Sequence, residues 1–178
     1  MKTQTFVILL RGINVSGQKL IKMEALRQAF ADAGFPDAKT YIQSGNIIVS
    51  APTSAEALSQ KTRKLILDQF GFDVSVVVVD IEELEQAVAN VPFEGPGNKV
   101  YLAFLSVIPN DSAIAAWRGL DTGKDLSLLR GRVLYVFYGD SAGTSKLTNS
   151  VVEKKLQVVS TMRNLNTSRK LVELARGL

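Results

Sequence analysis

Glu94-Gly95-Pro96-Gly97-Asn98 (residues 94–98) divides the sequence into two halves that share one order of predicted elements. Two glycines around a proline are typical of a tight turn and end the element that precedes them. Hydrophobic periodicity, helix caps and hairpin turns predict the order β-α-β-β-α-β and then a closing helix on each side of this joint. The sequence therefore predicts two units, residues 1–93 and residues 94–178.

Short runs of branched residues predict strands, and apolar residues at helical spacing predict helices. The predicted elements of the first half are strands at 5–10, 40–43, 46–49 and 74–79, with helices at 23–33, 53–70 and 80–90. Those of the second half are strands at 100–105, 126–129, 133–137 and 158–162, with helices at 111–117, 150–156 and 167–176. This order is that of the split β-α-β unit. We predict an α+β protein of two tandem ferredoxin-like units with antiparallel or mixed sheets; the alternative is one mixed sheet of eight strands.

Composition excludes several kinds of chemistry. The chain has 178 residues, of which 46% are hydrophobic, so it can form a packed core. Cysteine and histidine are both absent, which excludes disulfides, thiol nucleophiles and the commonest general base and metal ligand. The longest apolar runs, 6–10 and 74–79, are far shorter than the roughly 20 residues that span a bilayer. With no signal peptide before the first predicted strand, we expect a cytoplasmic protein without a membrane partner.

Charge is distributed unevenly along the chain, whose net charge is +4. Residues 1–50 carry +3 and residues 141–178 carry +5, whereas residues 51–140 carry −4. Basic ends around an acidic middle favour an anionic partner at a site built from both ends. The alternative is that the lysines merely solvate helix surfaces.

The segment 136–149 is the clearest candidate for phosphate binding. A predicted strand enters a loop of small residues, and a helix leaves it with Ser145, Lys146 and Asn149 at its start. Free amides at a helix start stabilise an anion, and Lys146 adds a point charge. The loop is not a Walker A motif, because Thr144 and Ser145 separate Gly143 from Lys146. The alternative is an ordinary helix cap by Ser145 or Thr148.

Two further loops follow strands and carry basic and amide side chains. After the first strand, residues 11–17 offer Arg11, Asn14 and two glycines, with Lys22 one turn into the next helix. The alternative is a turn in which Asn14 bonds its own backbone. The hairpin turn at 41–46 is expected at the opposite end of the same sheet.

Between the last strand and the last helix, the segment 163–167 contains Arg163 and Asn164. Asn166 or Thr167 is the expected cap of that helix. Arg163 and Asn164 are not required for a cap, so they are the candidates for ligand binding.

A nucleic-acid interface is suggested by residues 130–137, which faintly echo an RNA-recognition signature on a strand of suitable topology. The two stacking aromatics of that signature are replaced by Arg132 and Leu134. Base readout by that sheet face is therefore poorly supported.

Five ordered segments resemble the signatures of the bacterial family called domain of unknown function 1697. They are Leu10-Arg11-Gly12-Ile13-Asn14-Val15, Tyr41-Ile42-Gln43-Ser44-Gly45-Asn46, Asn90-Val91-Pro92-Phe93, Ser145-Lys146-Leu147-Thr148-Asn149 and Arg163-Asn164-Leu165-Asn166-Thr167. The sequence departs from the family pattern at Val91, which looks inserted, and at Leu165, where an aromatic residue is usual. The resemblance implies two tandem ferredoxin-like units and supplies no substrate, cofactor or reaction.

The leading functional hypothesis is binding of a phosphate-bearing small molecule or nucleotide in a basic cleft between the units. The candidate ligand-binding residues are Arg11, Asn14, Lys22, Gly143, Ser145, Lys146, Asn149, Arg163 and Asn164. At least two of the three loops, including Lys146, are predicted to line one cleft, because converging like charges imply an anion. The alternatives are a nucleic-acid-binding module on the same basic surface and an enzyme, for which no nucleophile-base pair and no metal site is identified.

Overall fold

The computed structural model describes residues 2–178, in which eight strands and six helices alternate in the predicted order. The first seven elements are β1 (Gln4–Leu10), α1 (Met23–Asp32), β2 (Lys39–Tyr41), β3 (Asn46–Ala51), α2 (Ala55–Phe70), β4 (Val76–Asp80) and α3 (Ile81–Ala89). The other seven are β5 (Val100–Leu105), α4 (Asp111–Arg118), β6 (Leu126–Arg130), β7 (Val133–Phe137), α5 (Asn149–Leu156), β8 (Ser160–Asn164) and α6 (Leu165–Arg176). None of the helices within residues 2–178 is long and apolar enough to cross a membrane.

The strands form two separate four-stranded sheets, with the orders β2-β3-β1-β4 and β6-β7-β5-β8. Every pair of neighbouring strands is antiparallel. The α+β class is therefore confirmed, and the alternative of one mixed eight-stranded sheet is wrong. Each sheet places its first strand at an inner position and its fourth strand at an edge.

The chain forms two compact units. One comprises the residues up to Gln86 together with Lys170–Leu178, and the other comprises Ala87–Arg169. Helix α6 therefore begins in the second unit and ends in the first. The division of the sequence into residues 1–93 and 94–178 stays a prediction.

The core of the first unit lies between its sheet and helices α1 and α2. Phe6, Ile8 and Leu10 of β1 pack there with Phe30 and Ile66 of the two helices. Burial of each such side chain contributes about 1.5–3 kcal/mol. The alternate residues of β1 are also buried, so both faces of this strand are removed from water.

The core of the second unit repeats this arrangement with other residues. Leu134 and Val136 of β7 pack against Trp117 of α4 and Leu156 of α5. On the other face of the same strand Tyr135 is buried, and its hydroxyl donates a hydrogen bond of 2.9 Å to the carbonyl oxygen of Ala87. A buried phenol needs such a partner, because an unpaired hydroxyl in the core would lose its hydration without compensation.

Candidate functional site

A pocket of about 300 Å³ lies in the second unit between the loop 121–125, which precedes β6, and the loop 139–147, which follows β7. The first loop connects α4 to β6, and the second connects β7 to α5. The side chains that bring charge to its wall are Asp121, Lys124, Asp125, Asp140 and Lys146. The predicted phosphate-binding segment thus does line a concave site.

Asp125 holds the two loops together. Its carboxylate is buried, and Oδ1 accepts a hydrogen bond of 2.9 Å from the backbone N–H of Gly139. Oδ2 accepts one of 2.5 Å from the hydroxyl of Ser145, whose oxygen in turn accepts the N–H of Leu147 at 2.8 Å. A buried carboxylate is tolerated because charge-assisted hydrogen bonds replace its hydration.

Sequence reasoning missed Asp125, because an aspartate in a glycine-containing turn is an ordinary turn residue. Gly139, opposite it, is required by close packing. A Cβ at position 139 would lie 2.7 Å from the carbonyl oxygen of Lys124, closer than real Cβ contacts. The approach of these two backbones therefore depends on glycine.

Lys146 differs from the other charged residues of the pocket wall. Its side chain is exposed, and it has no hydrogen-bond or ion-pair partner among residues 2–178. Lys124, by contrast, binds both carboxylate oxygens of Asp140 at 3.2 Å, and Asp121 accepts the N–H of Gly123 at 3.0 Å. Three aspartates and two lysines give the wall a formal charge of −1. Each of the three carboxylates accepts a hydrogen bond from within the protein, whereas the ammonium of Lys146 has no acceptor among residues 2–178.

Two other residues predicted near this loop, Thr148 and Asn149, have structural partners. Gly143 is exposed in the loop, and Thr148 caps α5 by accepting the N–H of Val151 at 3.3 Å. Asn149 joins α5 to β8: its Nδ2 donates to the carbonyl of Ser160 at 2.8 Å, and its Oδ1 accepts the Ser160 hydroxyl at 2.9 Å. Asn149 is therefore a link between two elements of the core.

Arg163 and Asn164 lie at the end of β8. Arg163 is buried, and its Nη1 donates to the hydroxyl of Thr161 and to the carbonyl of Met162, each at 2.8 Å. Burial lowers the pKa of Arg163 to about 10. Asn164 Oδ1 accepts the N–H of Thr167 at 2.8 Å, so the expectation that Asn166 or Thr167 caps the last helix is wrong. Helix α6 starts two residues earlier than predicted, because Asn164 satisfies one of its first free amides.

In the first unit, Asn14 fixes the loop that follows β1. Its Nδ2 donates to the carbonyl oxygens of Ile21 at 3.0 Å and Gln43 at 2.8 Å, and its Oδ1 accepts the N–H of Ile21 at 2.8 Å. The hairpin turn at 41–46 therefore lies beside this loop, and the expectation that it lies at the opposite end of the sheet is wrong. Since β3 runs antiparallel to β1, its first residues pair with the last residues of β1.

The same loop and turn carry most of the left-handed backbone of the described chain. Positive φ angles occur there at Gly12, Asn14, Ser16, Gly17, Lys19, Ile42 and Gly45. Gly45 is required, because a Cβ would lie 2.8 Å from side-chain atoms of Ile13 and Leu10. Arg11 is half-buried, with its N–H bound to the carbonyl of Ser75 at 3.0 Å, and Lys22 is exposed at the start of α1. The prediction that these residues share one cleft with Lys146 stays a prediction.

Two alternative kinds of site can be judged from the second unit. On the sheet face that would stack bases, Tyr135 is 2% and Phe104 0% exposed, so neither ring is accessible to a base. The Ser145–Asp125 pair has a structural explanation, because the hydroxyl also accepts the N–H of Leu147 and the carboxylate also accepts the N–H of Gly139, so the pair links the two loops. Residues 2–178 hold no cluster of three or more side chains suited to a metal ion.

Comparison with known proteins agrees with this α+β architecture. The sequence matches the model of a family described as protein of unknown function (DUF1697) over residues 3–135. The chain therefore belongs to this family, as its five signature segments predicted. No curated protein matches the chain.

Among solved structures, the chain is similar to the conserved bacterial protein SP0830 from Streptococcus pneumoniae. The two share 22% sequence identity, and the alignment covers 98% of this chain and 99% of that one with a TM-score of 0.78. At this level of identity the likeness shows a shared fold, and function must be argued from the site itself.

Proposed function

We propose that the pocket between the loops 121–125 and 139–147 binds a small phosphate-bearing molecule or nucleotide. The observation that carries the proposal is the ammonium of Lys146, which lines the pocket without a partner in residues 2–178. Each carboxylate of the wall is engaged by a donor within the protein. Among the described residues, Lys146 is therefore the one charged group of the wall that is left to bind a ligand.

Hydroxyl groups complete the set of donors. Ser141 Oγ and Thr144 Oγ1 lie 3.0 Å apart in the loop that carries Lys146, and both residues line the pocket. The Thr144 hydroxyl also donates to the carbonyl oxygen of Ser141 at 3.2 Å. A phosphate oxygen that replaces both contacts would accept hydrogen bonds from both hydroxyls and a charge-assisted bond from Lys146. The expected ligand is therefore held by one point charge and two neutral donors.

The pocket favours a ligand of low charge. Its wall is formally −1, so each further phosphate brings more repulsion from Asp125 and Asp140 than attraction from Lys146. We expect monophosphates to bind more tightly than the corresponding di- and triphosphates in the absence of divalent cations.

Thermal unfolding of the full chain with a panel of sugar phosphates, nucleoside monophosphates and triphosphates tests this proposal. A ligand at 100 times its dissociation constant stabilises the folded state by about 2.7 kcal/mol. Lys146→Ala is expected to abolish that stabilisation. Lys155→Ala is the matched control, because Lys155 is an exposed lysine on the helix that follows the same loop and does not line the pocket.

Salt dependence separates this function from nucleic-acid binding. A single phosphate contact gives a shallow slope of log affinity against log salt, whereas a nucleic-acid surface releases several counterions and gives a steep one. Stabilisation by monophosphates that survives Lys146→Ala would show that the site lies elsewhere. A steep slope with oligonucleotides, without any effect of monophosphates, would favour the nucleic-acid alternative.

We also propose that each half of the chain is a ferredoxin-like unit. The proposal is supported by the β-α-β-β-α-β order in both halves and by the matching strand orders, in which the third strand lies between the first and the second. The matching orders also favour an internal duplication.

A further inference from the structure

Strand β6 forms one edge of the second sheet, and the backbone hydrogen-bonding groups of two of its five residues face outward. It is joined to β7 by the two-residue turn Gly131-Arg132, so Arg130 and Val133 form the hydrogen-bonded pair next to the turn. Hydrogen-bonded pairs alternate along an antiparallel ladder, so Ser127 and Leu129 direct their N–H and C=O groups away from β7. No other part of residues 2–178 hydrogen-bonds to these four groups.

The space beside this edge is open. A groove of about 460 Å³ runs between β6 and α4, and its apolar wall includes Ile114, Trp117 and Leu129. On the strand itself Leu126 is 53% and Leu128 38% exposed. A further strand added to β6 would find both hydrogen-bonding partners and apolar surface there.

The other sheet edges in the described chain are short or carry mostly buried side chains. Strand β2 has three residues and begins with Lys39, while the side chains of β4 and β8 are largely buried. Strand β6 has five residues, Leu-Ser-Leu-Leu-Arg, without a proline, a lysine or a bulge. Proteins usually protect a sheet edge by such devices, so an apolar edge that lacks them is suited to pairing with another chain.

We propose that β6 pairs antiparallel with β6 of a second copy of this protein, about a two-fold axis at Leu128. In this register Ser127 of one copy lies opposite Leu129 of the other, and each such pair exchanges two backbone hydrogen bonds. The outward groups at Ser127 and Leu129 are thereby all satisfied. The two Leu128 side chains meet at the axis as a non-hydrogen-bonded pair, the closest kind of cross-strand contact.

The register allows a second copy to be the partner. The outward-facing backbone groups of Ser127 and Leu129 are symmetric about Leu128, so the strand can pair with itself about a two-fold axis. Arg130 of one copy lies opposite Leu126 of the other, so no like charges meet, and the aliphatic stem of the arginine covers an exposed leucine. The four-stranded sheet that contains β6 in one copy joins the same sheet of the other copy, which gives one continuous sheet of eight strands.

Charge reversal at the axis tests the proposal. Sedimentation equilibrium of the full chain from micromolar to millimolar concentration is expected to show a mass rising toward twice 19.4 kDa, since pairing of one short strand gives a small, concentration-dependent interface. Leu128→Asp and Leu128→Lys are each expected to be monomeric, because two like charges lie directly opposite at the axis. An equimolar mixture of the two is expected to dimerise again, because residue 128 then faces its opposite charge.

Leu67→Asp, an exposed leucine on α2, is the matched control and is expected to dimerise normally. Amide exchange gives a second measurement that needs no variant: the N–H groups of Ser127 and Leu129 are expected to exchange more slowly as the concentration rises. The proposal is overturned if the chain stays monomeric at all concentrations or if Leu128→Asp still forms dimers. It is equally overturned if the mixture of the two variants does not associate, or if the exchange rates of these amides do not change with protein concentration.

Discussion

Asp125 Oδ2 and Ser145 Oγ lie 2.5 Å apart, although 20 residues separate them in the sequence. With the second contact of the carboxylate, to the N–H of Gly139 at 2.9 Å, this hydrogen bond fixes the loop after β7 against the loop before β6. The position of Lys146 relative to the rest of the pocket wall follows from that contact. One buried carboxylate thus organises the candidate site without being predicted to touch the ligand.

Replacement of this carboxylate should therefore loosen the pocket and destabilise the fold. Asp125→Ala is expected to reduce the free energy of unfolding by about 1.5–3 kcal/mol, because it leaves a backbone N–H and a hydroxyl without their charged acceptor. Urea unfolding checks the value. Asp121→Ala is the control, since Asp121 is exposed and its loss should change stability by about 0.5 kcal/mol or less. Equal effects of the two variants would contradict the assigned role.

Asn14 combines a left-handed backbone with three side-chain hydrogen bonds, and two substitutions separate these contributions. Asn14→Gly keeps the backbone conformation but loses the bonds, so we expect a loss of about 1–3 kcal/mol in unfolding free energy. Asn14→Ala is expected to cost about 1 kcal/mol more, because a Cβ is strained at a φ of 55°. Denaturant titration of both variants measures the difference.

Ser16→Gly provides the reference for that experiment. Ser16 is also left-handed, with a φ of 50°, but it is exposed. Its replacement by glycine should leave stability unchanged or slightly higher. An Asn14→Gly variant as stable as Ser16→Gly would show that the three bonds of Asn14 do not hold the loop.

Ile42 is expected to be a position where substitution stabilises the protein. It is β-branched, 47% exposed and held at a φ of 49°, a conformation that costs such a residue about 1–2 kcal/mol. Ile42→Asn should raise the free energy of unfolding by about 1 kcal/mol, because asparagine tolerates this conformation. Calorimetric unfolding gives the measurement. The matched change at Val107, which is exposed but not left-handed, should bring no such gain.

The buried phenol of Tyr138 should make the free energy of unfolding fall at alkaline pH. Burial raises its pKa, aided by Tyr101 and Asp125, and its hydroxyl donates to the carbonyl of Leu147 at 2.8 Å. The unfolded phenol titrates near pH 10, so the stabilising contribution of the neutral phenol is present below that pH. It is lost as pH rises further, because only the unfolded state then releases the proton.

Unfolding free energies measured in urea between about pH 8 and pH 11 test this sign. Tyr138→Phe is expected to cost about 0.5–1.5 kcal/mol near neutral pH and to make the alkaline decline shallower. Tyr135→Phe should act in the same direction, since burial raises the pKa of Tyr135 as well. A decline as steep in both variants as in the unmodified chain would disprove the assignment.

The order of the elements and the α+β class could be predicted from local sequence patterns. A buried run such as Phe6 to Leu10, and apolar residues at helical spacing such as Leu26 and Phe30, report burial through periodicities of two and 3.6 residues. The cap of α5 by Thr148 was predictable for the same reason, because a cap bonds an amide only three residues away. Family membership also followed from short ordered segments.

Contacts between distant segments were beyond such patterns. The placement of the 41–46 turn depends on which end of β1 meets β3, and the burial of Arg163 depends on what packs against β8. Asp125 looks like any turn residue until Gly139 and Ser145 are brought to it. Periodicity tells which side of an element is buried, because that is a property of neighbouring residues. Which element packs against that side is decided only when the chain has folded, because the interaction energies belong to pairs of residues far apart in sequence. The same contacts decide which polar side chain is left for a ligand.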